Sequence, residues 1–173
     1  QDTPLLLATD HRETEDMLAA SGLEHVVLRN GWYIENHMLG VAHALASGTM
    51  IGAAGSGRFS AASRADYAAA AAAIIHPNAA PKSQILELAA DEGYTLAELA
   101  GEVARQSGKT VRYEDMAPTA LQAALLSGGL PEGLAAILAD TDAGAANGAL
   151  HDKGGMLSQL IGRPTTPMKD AVT

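Results

Sequence analysis

The side chains with the strongest claim to chemistry lie in one stretch, Gly22-Leu23-Glu24-His25-Val26-Val27-Leu28-Arg29-Asn30-Gly31-Trp32-Tyr33-Ile34-Glu35-Asn36. Residues 24–28 end in an apolar, β-branched run, which after a helix and a tight glycine turn predicts a buried parallel strand, broken at Asn30-Gly31. Ligands of open α/β sheets settle at such carboxyl ends. Trp32 and Tyr33 at that mouth offer flat walls for a planar ring, and the amides of Asn30 and Gly31 offer donors to a ring that carries an amide. The same pair also reads as an aromatic plug on a strand end, and residue types alone leave both readings open.

Other constellations are weaker. Gly52-Ala53-Ala54-Gly55-Ser56-Gly57 has the look of a phosphate loop, but such a loop opens a helix whose amides face the phosphate. Here the strand-like Arg58-Phe59-Ser60 follows, so a hairpin turn is expected. Asp140-Thr141-Asp142-Ala143-Gly144 starts like a calcium loop, yet Gly144 stands at a ligand position and His151 where a bidentate Glu belongs, so helix termination is expected. The six histidines form no i, i+4 pair and no H-E-x-x-H, and read singly as surface or satisfied groups. No metal is expected. G-x-S-x-G is absent, there is no Cys, and no Tyr-x-x-x-Lys dyad occurs; Tyr33 with His37 is read as a coincidence.

The elements that must position these residues follow from capping and periodicity. A D-x-x-E box at Asp10 to Glu13 predicts a helix over 10–21 with Gly22 behind it. A helix is expected over 32–46, and strands over 49–51 and 58–60 around the glycine cluster. Ser63 to Asp66 opens an Ala-rich helix to Ile75, and Pro77 and Pro81 bound the next loop. Residues 84–89 and 110–114 are strands, and Thr95-x-x-Glu98 opens a helix closing at Gly108. Pro118 and Pro131 start helices to 126 and 139, 149–151 is a further strand, a helix covers 152–161, and a turn follows Pro167. This alternation argues α/β with parallel pairing. Only the strands near 26 and 86 look fully buried, so the sheet reads as amputated.

Composition narrows the function classes. The chain has 173 residues, 47% hydrophobic but only 3% aromatic, so its core must be small aliphatic side chains in closely packed helices. A net charge of −9 without basic runs removes the counterion-release source of nucleic-acid affinity. The longest apolar run, 68–75, is too short for a membrane span. A soluble cytoplasmic protein is the expectation. Opening on Gln1 and running straight into apolar sequence, the chain reads as starting inside a longer protein.

Glu13-Thr14-Glu15-x-x-Leu18-x-x-Ser21-Gly22-Leu23 followed by Val27-Leu28-Arg29-Asn30-Gly31-Trp32-Tyr33-x-Glu35-Asn36 resembles the matching block of NmrA-like NAD(P)H:quinone oxidoreductases, which are atypical short-chain dehydrogenase/reductases. The likeness continues through Ile51-Gly52-Ala53-Ala54-Gly55-x-Gly57, Ser63-Arg64-Ala65-Asp66-Tyr67-Ala68, Gln106-Ser107-Gly108-Lys109, Gly129-Leu130-Pro131-x-Gly133-Leu134-Ala135 and Leu160-Ile161-Gly162-x-Pro164-Thr165-Thr166. Nearly all of it lies in the second half of that family.

The resemblance implies the C-terminal part of a Rossmann-type NAD(P)-binding fold plus a small α+β substrate lobe. Residues 1–48 and 63–91 would belong to the Rossmann layer, and 49–62 and 92–173 mostly to the lobe. The glycine fingerprint for the pyrophosphate would lie upstream, in an N-terminal half that is the principal missing partner. It further implies that Asn30, Gly31, Trp32, Tyr33, Ile34 and Glu35 run along the nicotinamide of NADPH or NADH. His11 falls where related reductases place an active-site Lys, implying a role in orienting the ribose or relaying a proton. It reads equally well as an ordinary residue of the first helical turn. The implied activity of the intact protein is hydride transfer to a quinone, with loops 126–131 and 143–148 shaping the quinone pocket; a non-catalytic, dinucleotide-binding redox sensor is the alternative. Homo-oligomerisation is left open.

Overall fold

Two pairs of parallel strands frame the chain, described here for residues 5–75 and 84–172 of a computed structural model. The loop expected between Pro77 and Pro81, and Gln1, lie outside the described residues.

Helix α1 (Ala8–Ala20) starts before the expected capping box. Leu7 holds the cap position without a side-chain cap, and Asp10 falls inside the first turn. The turn begins early because the Ala8 amide reaches the Leu5 carbonyl, while Asp140 Oδ2 accepts the Leu6 amide at 2.8 Å from 134 residues away. Strand β1 (Val26–Asn30) follows. The single helix expected over 32–46 is instead α2 (Ile34–Met38) and α3 (Val41–Ser47), broken at Leu39-Gly40. Trp32 and Tyr33 stay extended because the Trp32 carbonyl accepts the Ala62 amide and Ile34 donates to the Ala62 carbonyl, both at 3.1 Å.

Strand β2 (Thr49–Gly52) was expected to pair with 58–60 across the glycine turn. It pairs instead, in parallel, with a strand more than fifty residues downstream, β4 (Arg112–Asp115). Phe59 turns to an antiparallel bridge with Tyr94. Helix α4 (Arg64–Ile75) leads to β3 (Gln84–Leu88), which lies parallel to β1 with Leu28 opposite Leu86 and Asn30 opposite Leu88. Thr95 and Glu98 form both halves of the capping box on α5 (Leu96–Ser107), and Gly108 closes it at φ 67°. Helix α6 (Pro118–Ser127) carries its proline in the first turn.

Helix α7 (Glu132–Ala146) does not stop at 139 as the Asp-rich segment suggested. Asp142 Oδ2 accepts the Ala53 amide at 2.8 Å, and Thr141, Gly144 and Ala145 are buried, so tertiary contacts carry the helix through residues of poor helical propensity. The strand expected at 149–151 is a turn: the His151 amide donates to the Gly148 carbonyl at 3.2 Å, and the Leu150 carbonyl is taken by the distant Ser60 amide at 2.9 Å. Helix α8 (Met156–Ile161) starts later than expected because Gly154 and Gly155 adopt φ of 71° and 102°. A short α9 (Met168–Ala171) replaces the final turn.

Aliphatic and aromatic side chains form two principal cores. Ile34, Phe59, Tyr94, Leu96, Leu99 and Val103 fill one, and Tyr67, Leu86, Leu88 and Leu157 the other. Successive residues of extended chain point to opposite sides. Trp32 accordingly packs on the first core and its neighbour Tyr33 on the second.

One half-buried carboxyl works against the fold at neutral pH. Burial, with the charge of Asp115 adding, raises Asp142 to about 6, although the Ala53 amide opposes the rise. A group whose pKa rises on folding favours the folded state while protonated and loses that contribution as pH climbs through its folded value. Between pH 4 and 6 this one group should therefore remove about 3 kcal/mol of stability. Asp142→Asn keeps an acceptor for Ala53 and sheds the charge; urea midpoints across pH 4 to 7 should fall less steeply with pH than in the parent, and the variant should be the more stable at pH 7.

Candidate functional site

The carboxyl ends of β1 and β3 open into a cavity of about 1030 Å³. Its floor is Leu28 to Gly31 with Glu87 to Ala89, one wall is Trp32 and Tyr33, a second is the His11 to Leu18 side of α1, and a third is the turn 147–152. The volume is that of a site for a sizeable organic ligand. Among the described residues no group of three or more His, Cys, Asp and Glu could hold a metal, and no helix is long and apolar enough to cross a membrane.

Of the residues singled out in sequence, His11, Asn30, Gly31, Trp32 and Tyr33 meet in this cavity. Ile34 and Glu35 do not line it. Ile34 is fully buried in the first core, and Glu35 Oε1 accepts the Arg64 amide at 2.9 Å where α4 begins. The expected donors are also fewer than residue types suggested, because the Gly31 amide is spent on the Leu88 carbonyl at 2.9 Å. Asn30 remains exposed, with Nδ2 donating to the Tyr33 hydroxyl at 3.1 Å. Tyr33 stands edge-on to Tyr67 at 5.1 Å with the Arg64 guanidinium 5.7 Å from its ring centre, so its ring plane is set from both sides.

Arg29 enters the cavity wall but is not a free cation. Its guanidinium grips Glu15 through two bonds of 2.7 and 2.6 Å and Glu87 through one of 2.6 Å, tying α1 to both strands. That hydrogen bond with Arg29 holds Glu15 below the ordinary carboxylate range, and Glu15 and Glu87 together hold Arg29 firmly charged.

Behind Trp32 lies His37, which does not pair with Tyr33. Its Nδ1 sits 2.8 Å from the Tyr94 hydroxyl, Phe59 meets it edge-on at 4.7 Å, and Nε2 is buried with no hydrogen-bond partner among the described residues. Burial lowers its pKa to about 4, so it is neutral at physiological pH. It is thus neither a surface nor a fully satisfied histidine, contrary to expectation.

The glycine cluster cannot seat a phosphate. Its three successive amides are already occupied by acidic or phenolic oxygens: Ala53 by Asp142, Ala54 by Tyr113 and Gly55 by Asp115, at 2.8, 3.1 and 2.7 Å. Nor do 126–131 line the cavity; of the expected 143–148 loop only Asn147 and Gly148 do, and 143–146 is helix. Sequence reasoning missed Ser60 and His151, which line the cavity with a ring nitrogen 3.2 Å from the hydroxyl. They lie 91 residues apart, and no local spacing signals them.

Comparison with known proteins places this arrangement. Over 171 residues the chain is 50% identical to quinone oxidoreductase 2 of Escherichia coli, spanning 99% of this chain and 59% of that protein. Two crystal structures of an NADPH-dependent quinone oxidoreductase from Escherichia coli, one complexed with NADPH, match it at TM-score 0.94 and 50% identity, over 98% of this chain and 62% and 60% of theirs. This chain is homologous to part of that oxidoreductase. The triphenylmethane reductase of Citrobacter sp. matches at TM-score 0.88 and 26% identity, over 99% of this chain and 59% of that one. The chain therefore spans about three fifths of the quinone oxidoreductase it resembles. No family model matches it. Its α/β architecture with parallel pairing is that of these NAD(P)-binding reductases, in keeping with the block from Glu13 to Asn36.

Proposed function

We propose that the intact protein reduces quinones by hydride transfer from NADPH or NADH, this chain supplying the nicotinamide-side wall and the quinone pocket. The observation that carries the reading is the cavity at the ends of β1 and β3, walled by Trp32 and Tyr33. The NADPH-bound relative of the same fold supports it. In this reading 1–48 and 63–91 form the dinucleotide layer, and 49–62 and 92–173 mostly the substrate lobe.

The residues present fit the nicotinamide end of a dinucleotide. Strand ends, flat aromatic faces and the exposed Asn30 amide meet in one cavity, whereas the glycine cluster is closed to the pyrophosphate. The bound coenzyme would supply the hydride. The chain's part is to hold two flat rings in register and keep water from between them, which does not require an acid–base dyad of the Tyr-x-x-x-Lys kind. Trp32, braced from behind by His37 with ring centres 6.2 Å apart, gives the rings a fixed face. His11, which lines the cavity from α1, would in this reading orient the ribose.

The test is oxidation of NADPH by 1,4-benzoquinone, followed by absorbance with the full-length protein. Turnover is expected; a protein that binds NADPH and turns nothing over is a redox sensor instead. Trp32→Ala should lower kcat/KM about tenfold, since a lost planar contact costs about 1.4 kcal/mol of positioning.

A further inference from the structure

We infer that His151, its tautomer set by the buried Ser60, is the proton donor to the reduced quinone, an assignment that rests on the quinone-reductase reading above. Hydride addition leaves a quinone with one anionic oxygen, which needs a proton to become the hydroquinone. Imidazole is the side chain suited to release and regain a proton near neutral pH. The cavity holds two such rings, His11 and His151. They differ in how they are held. His11 has no side-chain hydrogen bond among the described residues, whereas His151 Nδ1 lies 3.2 Å from Ser60 Oγ.

Counting donors and acceptors fixes the proton on that ring. Ser60 is 2% exposed, and a hydroxyl has one proton and two lone pairs. Its proton goes to the Asp152 carbonyl at 2.7 Å, because a carbonyl can only accept. One lone pair takes the Asp152 amide at 3.1 Å, because an amide can only donate. The remaining lone pair faces His151, so Nδ1 must be the donor in that contact. Nε2 is then the basic nitrogen of the neutral ring, and the site of the transferable proton in the imidazolium.

The surroundings agree with this orientation. Gly93 packs beside this same contact; a Cβ there would stand 3.0 Å from Nδ1, 3.2 Å from Ser60 Oγ and 3.4 Å from Cε1, so the absence of a side chain at 93 leaves room for the Ser60–His151 pair. The imidazole itself is exposed and lines the cavity. In the step assigned to it, the Nε2–H bond breaks, its electron pair stays on the ring, and the proton joins the anionic quinone oxygen. Solvent then returns a proton to Nε2 through the exposed side. His11 is left with the ribose, and Ser60 is a positioning residue.

The test uses the full-length protein with NADPH and 1,4-benzoquinone. His151→Ala should lower kcat about 10²-fold with unchanged NADPH affinity, and added imidazole should restore part of the rate. Ser60→Ala should lower kcat less and abolish the Nδ1–H signature of His151 in long-range ¹⁵N–¹H NMR, which the parent should show. Hydroquinone, 1,4-dihydroxybenzene, should shift the Nε2 resonance of the parent. If the parent turns over and His151→Ala keeps its full rate, or loses it together with NADPH affinity and without imidazole rescue, the assignment falls while the reductase reading stands. If the parent binds NADPH without turnover, the reductase reading falls and the donor role falls with it. An Nε2–H tautomer, or an Nε2 resonance indifferent to hydroquinone, overturns the assignment whatever the activity.

Discussion

Gly57→Ala is expected to destabilise the full-length protein by at least about 3 kcal/mol, seen as a large fall in its urea midpoint. A Cβ at this position would stand 2.3 Å from the Ala145 carbonyl oxygen, 2.5 Å from its carbon and 2.7 Å from the Ala146 nitrogen. All three are backbone atoms of α7, so no rotamer change relieves the overlap. Either the turn closed by the Gly57 amide on the Ala54 carbonyl opens, or the end of α7 moves. Both options disturb the cavity, because α7 runs directly into the Asn147 to Asp152 wall. NADPH affinity should therefore weaken with stability. Gly101→Ala is the control: it lies inside α5 with nothing within 4 Å of its added methyl, and should stabilise by about 1 kcal/mol. A Gly57→Ala variant as stable as the parent would mean that this backbone approach does not exist.

Asp66→Ala should cost about 3 kcal/mol, the worth of a charge-assisted hydrogen bond together with a buried amide left unsatisfied. Asp66 is completely buried at the start of α4 and fastens the C-terminal tail. Oδ2 accepts the Thr166 amide at 2.8 Å from 100 residues away, and Oδ1 pairs with Arg163 at 2.6 Å. Burial alone would raise this carboxyl, but the Thr166 amide, Arg163 and Ser63 together hold it below the ordinary range. Its contribution is therefore present above the unfolded carboxylate pKa and is lost as pH falls through its lowered folded value, opposite in sign to Asp142. Arg163→Ala should cost less, since that side chain is 48% exposed and water can take its place. Thermal or urea unfolding of the two variants checks the order; equal losses would refute the account. Asp91 grips the neighbouring Thr165 in the same manner, through its amide at 3.0 Å and its hydroxyl at 3.2 Å.

Much of the fold could be read in advance where the signal is local. The Thr95 and Glu98 capping box, the glycine stop at 108, the proline start of α6 and the strands near 26 and 86 all appear where spacing puts them, because each depends on residues within one turn or one pleat. The full burial expected of those two strands is not found, since β1 is only half-buried and Ile85 and Glu87 of β3 are exposed. The failures share a cause. The Asp10 box, the 49–60 hairpin, the stop at 139 and the strand at 149–151 were each overridden by a distant partner: Asp140 under Leu6, β4 beside β2, Ala53 on Asp142, Ser60 against Leu150. Glu98 and Asp66 sit at equivalent places in two capping motifs. Glu98 reaches back to the Thr95 amide, while the carboxylate of Asp66 is drawn to the tail.

The candidate site divides in the same way. The run from Asn30 to Tyr33 could be recognised from its own residues, because a strand end followed by two aromatics is a contiguous pattern, and His11 joined it through a contiguous block. Which atoms of that run remain free was decided by tertiary contacts alone: the Gly31 amide went to Leu88, Ile34 to the core and Glu35 to α4, and Ser60 met His151 across 91 residues. A linear chain specifies its caps, turns and periodic faces through neighbours a few residues apart. Hydrogen-bond partners for buried groups are chosen only when distant segments are brought together, and it is that choice which leaves a polar atom to the cavity or takes it away.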